Sequence, residues 1–427
     1  MIGMRVLFTV NPEKTIFLSM VPLAWALRTA GHEVRFASQP RFTDLITQAG
    51  LTAVPVGRDS DPWRTLVLDP DLIDVARAGL PPPWNVAEDP SNADWDDLLF
   101  FHRDAVADTH KPQNFPIIAD LVAFARHWKP DLVVWEPFTY AGAIAAKASG
   151  AAHARVLWGL DVFAATREIF KHFEARQPAE KRADPLAEWL ASYGRRYGFE
   201  YTEDMALGQF TVEQLPISLS IHGDTHYVPM RYVPYGGPAV VPKWLWAEPE
   251  RPRVALTVGT TAMDRLAGYG VDFQGIFDAV ADLDIELVAT IAESEQKKLT
   301  NVPDNTRVVP FVPLHALAPS CSAVIHHAGF GTLSTFSAHG VPQLALPCHF
   351  EGPLLSQLLV EQGAGLAVHS DVATGELVRE NLLRLLREDG FRAHAASLRD
   401  EVRALPSPNE LVPRIEELTA VHRPAPQ

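Results

Sequence analysis

The sequence has few cysteines and little positive charge, and each shortage excludes a class of protein. Its 427 residues include two cysteines, Cys321 and Cys348, whose spacing fits neither a disulfide framework nor a metal site, which is typical of a reducing compartment. The formal net charge is −15. A nucleic acid or an anionic membrane is therefore not expected as a partner, because clustered Lys and Arg hold such partners. Any phosphate group must be bound locally.

Long apolar runs are also missing. The longest apolar stretch, residues 16–27, contains Pro22 and ends before Arg28. It falls short of the roughly 20 residues that a membrane span needs. A strand-like segment, residues 5–10, precedes it in place of a basic leader, and no small-residue cleavage site follows, so a signal peptide is not expected. We expect a cytoplasmic protein with no membrane contact.

The composition that remains is that of a folded globular protein. Hydrophobic residues make up 47% and charged residues 21% of the chain, without a low-complexity tract. A chain of 427 residues is too long for one ordinary hydrophobic core, so two domains of roughly 200 residues each are expected.

Strand and helix patterns alternate in both halves, which predicts two doubly wound α/β domains. In the first half, strands are predicted at residues 5–10, 33–37, 51–56, 131–135 and 153–158, and helices at 16–30, 41–49, 119–128 and 141–149. In the second half, strands are predicted at residues 253–258, 285–291, 306–310, 323–327, 343–346 and 365–369. Ligand crevices lie outside the carboxyl ends of such strands, so two facing domains imply a cleft with two ligand sites.

Two segments depart from the alternation. Residues 226–250 are rich in Pro, Gly, Trp and Tyr, which is typical of an interdomain linker between a first domain, residues 1–225, and a second, residues 251–405. A C-terminal helix and tail are expected at 406–427. Residues 58–113 lack clear periodicity and are interpreted as a long insertion, a kind of segment that tends to be functional.

The segment at residues 326–335, HHAGFGTLST, runs from a buried strand through glycines into a helix start. Glycines let the backbone approach an anion, and the free N–H groups of a helix start suit a diphosphate. His327 and Thr332 can add side-chain donors. A tight turn without a ligand is the alternative, and the segment alone does not exclude it.

Motifs along nearly the whole chain resemble the actinomycete glycosyltransferases that attach deoxysugars to macrolides and aromatic polyketides, a family that includes erythromycin desosaminyltransferase. The resemblance is carried by VPLAWAL at residues 21–27, AGHEVR at 30–35, PDLVVWEPFT at 130–139, AHARVLWG at 152–159, MRYVPY at 230–235, VPDN at 302–305, FVPLHAL at 311–317, HHAGFGT at 326–332 and HGVPQ at 339–343.

The resemblance implies a GT-B fold whose first domain binds the acceptor and whose second binds a dTDP-sugar, with inversion at the anomeric carbon and no metal or other cofactor. Diphosphate contacts are implied for Thr260, His327, Gly329, Gly331 and Thr332. Phe311 and Val312 are implied to lie beside the thymine. Glu351 stands where the family usually has an aspartate that hydrogen-bonds the donor sugar.

The sequence departs from the family pattern at the catalytic base. Most relatives have a histidine in the loop after the first strand, and Ile16 occupies that position here. Glu136, at a strand end, is the first candidate to replace it; Asp161 and Glu13 are weaker candidates. Alternatively, the acceptor is an acidic phenol or a ring carbon that needs little deprotonation, or the protein is a catalytically impaired sugar-nucleotide-binding partner.

The resemblance also bears on partners. The insertion carries Trp63, Trp84, Trp95, Phe100 and Phe101, which are expected to cover a hydrophobic aglycone and exclude water. Some relatives need an auxiliary protein similar to a cytochrome P450 that docks near this region, and the sequence is compatible with that and with a homodimer. The sugar, the aglycone and the O- or C-linkage stay open.

Overall fold

The first domain is built on a parallel sheet. The structure, a computed structural model, describes residues 3–61, 79–259 and 270–423. The strands of the first sheet are β1 (Arg5–Thr9), β2 (Glu33–Ser38), β3 (Thr52–Pro55), β4 (Leu132–Trp135), β5 (Ala152–Val156), β6 (Phe210–Glu213) and β7 (Tyr227–Pro229). Their order across the sheet is β3-β2-β1-β4-β5-β6-β7, with parallel pairing throughout.

The second domain repeats this plan. Its strands are β8 (Arg253–Thr257), β9 (Glu286–Thr290), β10 (Thr306–Val309), β11 (Cys321–His326), β12 (Gln343–Ala345) and β13 (Gly365–Ala367). They pair in parallel in the order β10-β9-β8-β11-β12-β13. Two doubly wound, Rossmann-like domains confirm the predicted α/β, GT-B-type fold class.

Helices follow most strands and cover the sheets. In the first domain they are α1 (Lys14–Thr29), α2 (Thr43–Gln48), α3 (Trp95–Asp104), α4 (Lys111–Asn114), α5 (Ile118–Trp128), α6 (Ala141–Ser149), α7 (Val162–Ala175), α8 (Pro185–Tyr197) and α9 (Asp204–Leu207). The later ones are α10 (Phe273–Val280), α11 (Glu293–Gln296), α12 (Leu314–Leu317), α13 (Phe330–Ser337), α14 (Gly352–Gln362), α15 (Gly375–Arg387), α16 (Asp389–Ala404) and α17 (Pro408–His422). None of the helices in the described ranges combines the length and apolarity that crossing a membrane takes.

The last helix, α17, returns to the first domain. Ser407 and Glu410 form a capping box at its start, and Pro408 occupies its first position, where a missing N–H costs nothing. Four apolar side chains of this helix complete the core of the first domain: Leu411, Val412, Ile415 and Leu418. Helix α17 thus belongs to the first domain in its packing.

The insertion is more regular than its sequence pattern suggested. Its described part contains α3, and a turn of π-helix, Ala105–His110, connects α3 to α4. Asp94 caps α3 by accepting the backbone N–H groups of Asp96 and Asp97. The sequence pattern of this part therefore did not reveal its helices. Trp63 lies outside the described residues.

Candidate active site

The candidate site lies where the two domains meet. The strand order reverses between β1 and β4 in the first sheet and between β8 and β11 in the second, and ligands of such sheets bind at these points. Phe350 of the second domain contacts Phe138 and Trp158 of the first, with ring centroids 6.3 and 6.0 Å apart. Loops after β4 and β5 of the first sheet and after β12 of the second therefore meet beside these reversal points.

A strained turn joins β11 to α13 in the segment predicted to bind diphosphate. Ala328 adopts a left-handed backbone with φ +62°, which is unusual for a residue other than glycine and often marks functional sites. Gly329 caps α13, and its carbonyl oxygen accepts the N–H groups of Thr332 and Leu333 at 3.1 and 3.0 Å. The N–H groups of the two intervening residues have no acceptor among the described residues, so they are available to an anion.

His327 occupies a space that two glycines leave open. A Cβ atom at Gly259 would lie 2.6 Å from the imidazole Nε2, and one at Gly329 would also collide with that nitrogen. Gly259 follows β8, so the glycines of both turns make room for one imidazole. Burial, reinforced by nearby His349, lowers the pKa of His327 to about 4. The ring is therefore neutral near pH 7, and a bound diphosphate would favour its protonation.

Tyr232, which was not predicted as a site residue, stands over the same turn. Its hydroxyl oxygen is 3.1 Å from the position of a Cβ at Gly331, and its ring meets Phe330 edge-on at 5.0 Å. Gly331 therefore allows a close approach of the tyrosine. Tyr232 belongs to the quoted MRYVPY motif, but the residue pattern alone gives no sign that the linker reaches the diphosphate turn.

The two residues expected beside the thymine differ in exposure. Phe311 is 54% exposed after the edge strand β10, whereas Val312 is 2% exposed and packs in the core of the second domain. The side chain of Phe311 is thus available to a base, and Val312 can offer its backbone. Thr260, the remaining residue expected near the phosphates, lies outside the described residues.

Glu351 reaches across the cleft. A Cβ at Gly159, in the loop after β5, would collide with the carboxylate of Glu351, so the two residues are in close contact. Burial raises the pKa of Glu351 to about 8, which leaves the carboxyl group largely protonated near neutral pH. A protonated carboxyl group can both donate and accept a hydrogen bond, as recognition of a sugar hydroxyl requires.

Glu136 lies fully buried at the carboxyl end of β4. Its Oε1 accepts from the Thr139 hydroxyl and, at 3.4 Å, from Asn11 Nδ2. Its Oε2 accepts from the Phe138 N–H at 2.9 Å and from Trp158 Nε1 at 3.3 Å. Burial raises the pKa of Glu136, and these four hydrogen bonds oppose the shift. Burial thus makes the carboxylate a stronger base, but both of its oxygens already accept hydrogen bonds.

Asp161, the other catalytic candidate, is part of a buried ion pair. Arg155 donates to both of its oxygens, at 3.2 and 2.7 Å. The N–H of Ala164 and the hydroxyl of Tyr227 donate to it as well, so Asp161 also caps α7. All four contacts hold the carboxylate in place, which favours a structural role over proton removal.

The loop after β1 presents no imidazole. Ile16 lies in the first turn of α1 with its side chain in the domain core, and Glu13 precedes the helix and accepts from the Thr15 hydroxyl at 3.2 Å. Asn11 in this loop donates its backbone N–H to Thr139 Oγ1 at 3.0 Å. The loop is therefore tied to the Glu136 network.

Five aromatic side chains cluster beside Glu136, which Trp158 contacts directly: Trp84, Phe138, Trp158, Phe163 and Phe350. This aromatic cluster combines the insertion, the loops after β4 and β5, helix α7 and the second domain. Neighbouring ring centroids lie between 5.0 and 6.4 Å apart, the range of edge-to-face and offset contacts. Such a surface suits a hydrophobic, ring-shaped acceptor.

The other aromatic residues of the insertion do not share this position. Trp95 packs against Phe170 at 5.4 Å in a separate small core, and Phe100 is 61% exposed and contacts Phe101. Among the insertion's aromatic residues that the structure describes, Trp84 joins the aromatic cluster, and the expectation that the insertion covers an acceptor stays a prediction. Among the described residues, no three His, Cys, Asp or Glu side chains are grouped as metal ligands.

Two family models match the chain. The model described as Erythromycin biosynthesis protein CIII-like, N-terminal domain, matches residues 25–259, and the corresponding C-terminal domain model matches residues 274–418. Both matches run through the turns described above.

Individual proteins are similar to this chain over nearly its full length. The chain is 46% identical to the 10-deoxymethynolide desosaminyltransferase of Streptomyces venezuelae, with 99% of each chain covered. It is 43% identical to the aclacinomycin-T 2-deoxy-L-fucose transferase of Streptomyces galilaeus, covering 98% of this chain and 97% of that protein. The crystal structure of glycosyltransferase VinC in complex with dTDP is similar at a TM-score of 0.86 and 38% identity, covering 98% of this chain and 100% of VinC. The chain therefore belongs to the erythromycin biosynthesis protein CIII-like family and is a glycosyltransferase of the deoxysugar-transferring kind found in macrolide and aromatic polyketide biosynthesis.

Proposed function

We propose that this enzyme transfers a deoxysugar from a dTDP-sugar to a hydrophobic, polyketide-type acceptor, with inversion at the anomeric carbon. The second domain holds the donor and the first domain holds the acceptor. The names of its relatives support this choice of sugar and acceptor class. The proposal covers attack by an acceptor oxygen or by an acceptor ring carbon.

The turn from β11 to α13 is the observation that carries the proposal. It offers unpaired N–H groups at a helix start, and the same turn carries the half-buried Thr332 and the neutral imidazole of His327. As the bond to the sugar breaks, negative charge develops on the departing diphosphate, and these donors stabilise that charge. The dTDP-sugar is a co-substrate in this scheme, and neither a metal ion nor another cofactor takes part.

The remaining donor contacts follow from the positions of three residues. The exposed ring of Phe311 lies beside the thymine, and the Val312 side chain stays in the core, leaving its backbone to contact the base. The carboxyl group of Glu351, pressed against the loop after β5, hydrogen-bonds the sugar at the boundary between the domains.

For proton removal, we propose that Glu136 acts as the base when the acceptor is a hydroxyl. Its raised pKa supports this role. The acceptor must first displace one of the groups that occupy its oxygens, and Trp158 is the candidate because it also belongs to the aromatic cluster. Asp161 is too fully bonded to serve and is assigned to support of the fold.

A catalytically impaired partner that binds a sugar nucleotide is the second candidate function. It is favoured by the four hydrogen bonds that occupy Glu136 and by the apolar Ile16 at the usual histidine position. Turnover of a dTDP-deoxysugar, with and without a cytochrome-P450-like auxiliary protein, separates the candidates. No turnover under either condition would favour the partner.

Thermal unfolding in a dTDP titration tests the donor site. The wild type should be stabilised by about 2.7 kcal/mol at a hundredfold excess over the dissociation constant, through mass action. His327→Ala should show a smaller shift at sub-saturating dTDP, each protein being compared with its own unliganded form. His339→Ala, a histidine beyond the end of α13, is the matched control and should respond like the wild type. Equal shifts in all three proteins would remove His327 from the site.

A further inference from the structure

A small cavity lies in the first domain behind the aromatic cluster. Its volume is about 30 Å³, enough for roughly two water molecules. Trp84 and Phe163 line it and also belong to the aromatic cluster. The cavity wall and the aromatic cluster therefore share these two side chains.

Two polar atoms in the cavity wall lack partners. His110 Nδ1 and Thr166 Oγ1 are buried and make no hydrogen bond within the described part of the chain. Nearly all buried polar groups in native proteins are hydrogen-bonded, so an unpaired pair on one cavity needs an explanation such as water or a ligand. Residues from two separate elements, the π-helical turn and α7, supply the pair.

The charges of the side chains that line the cavity restrict which chemical group can bind in it. Burial lowers the pKa of His110 to about 3, so its ring is neutral. The guanidinium of Arg167 also lines the cavity, but Asp184 and Glu203 each accept hydrogen bonds from it, at 2.6 to 2.9 Å. A phosphate or carboxylate would find no uncompensated charge. The wall instead offers a neutral donor and a neutral acceptor, which together match one hydroxyl group.

The backbone conformation at His110 favours a functional role for the residues that line the cavity. His110 ends the turn of π-helix, a conformation that is rare and frequently found at functional sites. Its ring packs against Trp84 at 6.0 Å and against Tyr140 at 4.9 Å. The irregular turn thus places an imidazole directly behind the tryptophan that faces the cleft.

We propose that this cavity is the polar end of the acceptor site, where His110 and Thr166 bind a hydroxyl group of the aglycone. The aglycone hydroxyl donates to Nδ1 of His110 and accepts from the hydroxyl of Thr166. The indole of Trp84 moves aside to connect the cavity with the cleft. The inference rests on the proposed function, because it requires an acceptor in the first domain.

Thr166→Val tests the inference because it keeps the side-chain shape and removes the hydroxyl. Calorimetric titration would use two hydroxylated probes, 10-deoxymethynolide and aclacinomycin T, and dTDP as a separate ligand. Thr166→Val should bind an accepted probe roughly tenfold more weakly than the wild type, because a lost hydrogen bond that leaves its partner unpaired usually costs about this much. The affinity of Thr166→Val for dTDP should stay unchanged. Thr166→Ser should bind as the wild type does. Thr29→Val, an exposed threonine on α1, is the matched control.

Thermal unfolding separates this role from a structural one. A hydroxyl without a partner contributes nothing to stability, so Thr166→Val should unfold at or above the wild-type temperature. Equal probe binding in wild type and Thr166→Val, or a clear loss of stability in that variant alone, would show that the cavity holds structural water and would overturn the inference. A wild type that binds dTDP but neither probe would overturn the proposed acceptor class together with the inference.

Discussion

At the scale of single residues, Glu136 has the basicity that proton removal needs but little access. Burial makes its carboxylate a stronger base than an exposed glutamate. Hydrogen bonds from Thr139, Asn11, Phe138 and Trp158 occupy both oxygens. Trp158 is the donor that belongs to the aromatic cluster, so an acceptor that displaces its indole would free Oε2. The catalytic role of Glu136 therefore depends on that displacement.

Glu136→Gln should keep the fold and lower turnover roughly a hundredfold, the usual contribution of a general base. The fold should survive because a glutamine NH₂ group can donate to Thr139 Oγ1, whose hydroxyl can rotate, while the glutamine oxygen keeps accepting from the Phe138 N–H and Trp158 Nε1. Wild-type turnover should decline as the pH falls through the raised pKa of Glu136, since the base must be ionised. The variant should lack that acidic limb in a kcat/KM profile.

The control for this variant is Glu417→Gln, an exposed change on α17 that should leave turnover near wild type. Affinity for dTDP, measured in parallel, should be the same in all three proteins. If Glu136→Gln turned over a true acceptor as fast as the wild type, Glu136 would be excluded as the general base. An acceptor that needs little deprotonation, an acidic phenol or a carbon nucleophile, would then explain the turnover better.

Asp161→Asn should lower the free energy of unfolding by about 3–5 kcal/mol, because it leaves the buried charge of Arg155 without its partner. Urea unfolding measures the loss. Asp400→Asn breaks an exposed pair with Arg399 and should cost at most about 1 kcal/mol. Full stability of Asp161→Asn combined with lost turnover would instead identify Asp161 as catalytic.

At the scale of elements, the predictions succeeded where the periodicity is strong. The strands β1 to β5 and β8 to β13 all overlap predicted strands, because each is a short segment, mostly rich in β-branched or apolar residues, between turn residues. The strands β6 and β7 were missed. The first follows the short helix α9, and the second is three residues long and ends in a proline, so neither shows a recognisable period. Strand β7 extends the first sheet beyond residue 225.

The elements of the insertion show a different limit of sequence reasoning. Composition identified its aromatic residues, but Trp84 and Trp95 look alike in sequence and have different neighbours in the structure. Trp84 contacts the cleft, whereas Trp95 packs against α7. Tertiary placement decides their roles, and no local pattern carries that information.

The variants Trp84→Ala and Trp95→Ala should separate these roles. Both indoles are buried, so each substitution should destabilise the fold by about 3–5 kcal/mol. Trp84→Ala should also lower kcat/KM for the acceptor by roughly tenfold or more, because it removes a wall of the acceptor site, with dTDP affinity unchanged. Trp95→Ala should keep the turnover of the folded protein. Equal loss of turnover in both variants would mean that the insertion only supports the fold.

At the scale of the whole molecule, the site depends on contacts between the domains. The sequence predicted a cleft with two ligand sites, one at each sheet, because strand ends and glycine turns are local features. It could not predict that Glu351 would meet Gly159, or that Tyr232 of the linker would approach Gly331, since these contacts depend on how the domains are placed. Residues that join the domains are therefore the ones that sequence reasoning located least well.

The stability of the whole molecule should depend on pH through Glu351, which is buried where the domains meet. Its pKa is about 8 when folded and near 4.5 when exposed, so its contribution is fully present below about pH 4.5 and is lost as the pH rises through 8. The expected slope is at most about 1.4 kcal/mol per pH unit in that window. Glu351→Gln should flatten the curve of unfolding temperature against pH between 5 and 9 and be more stable than the wild type at the alkaline end.

Glu213, whose pKa burial also raises to about 8, is present in both proteins, so the difference between their curves isolates Glu351. Glu417→Gln, an exposed change on α17, should leave the curve unaltered. Parallel curves for wild type and Glu351→Gln would show that the Glu351 carboxyl group is hydrated in solution and that the domains are not held together at the contact between Glu351 and Gly159.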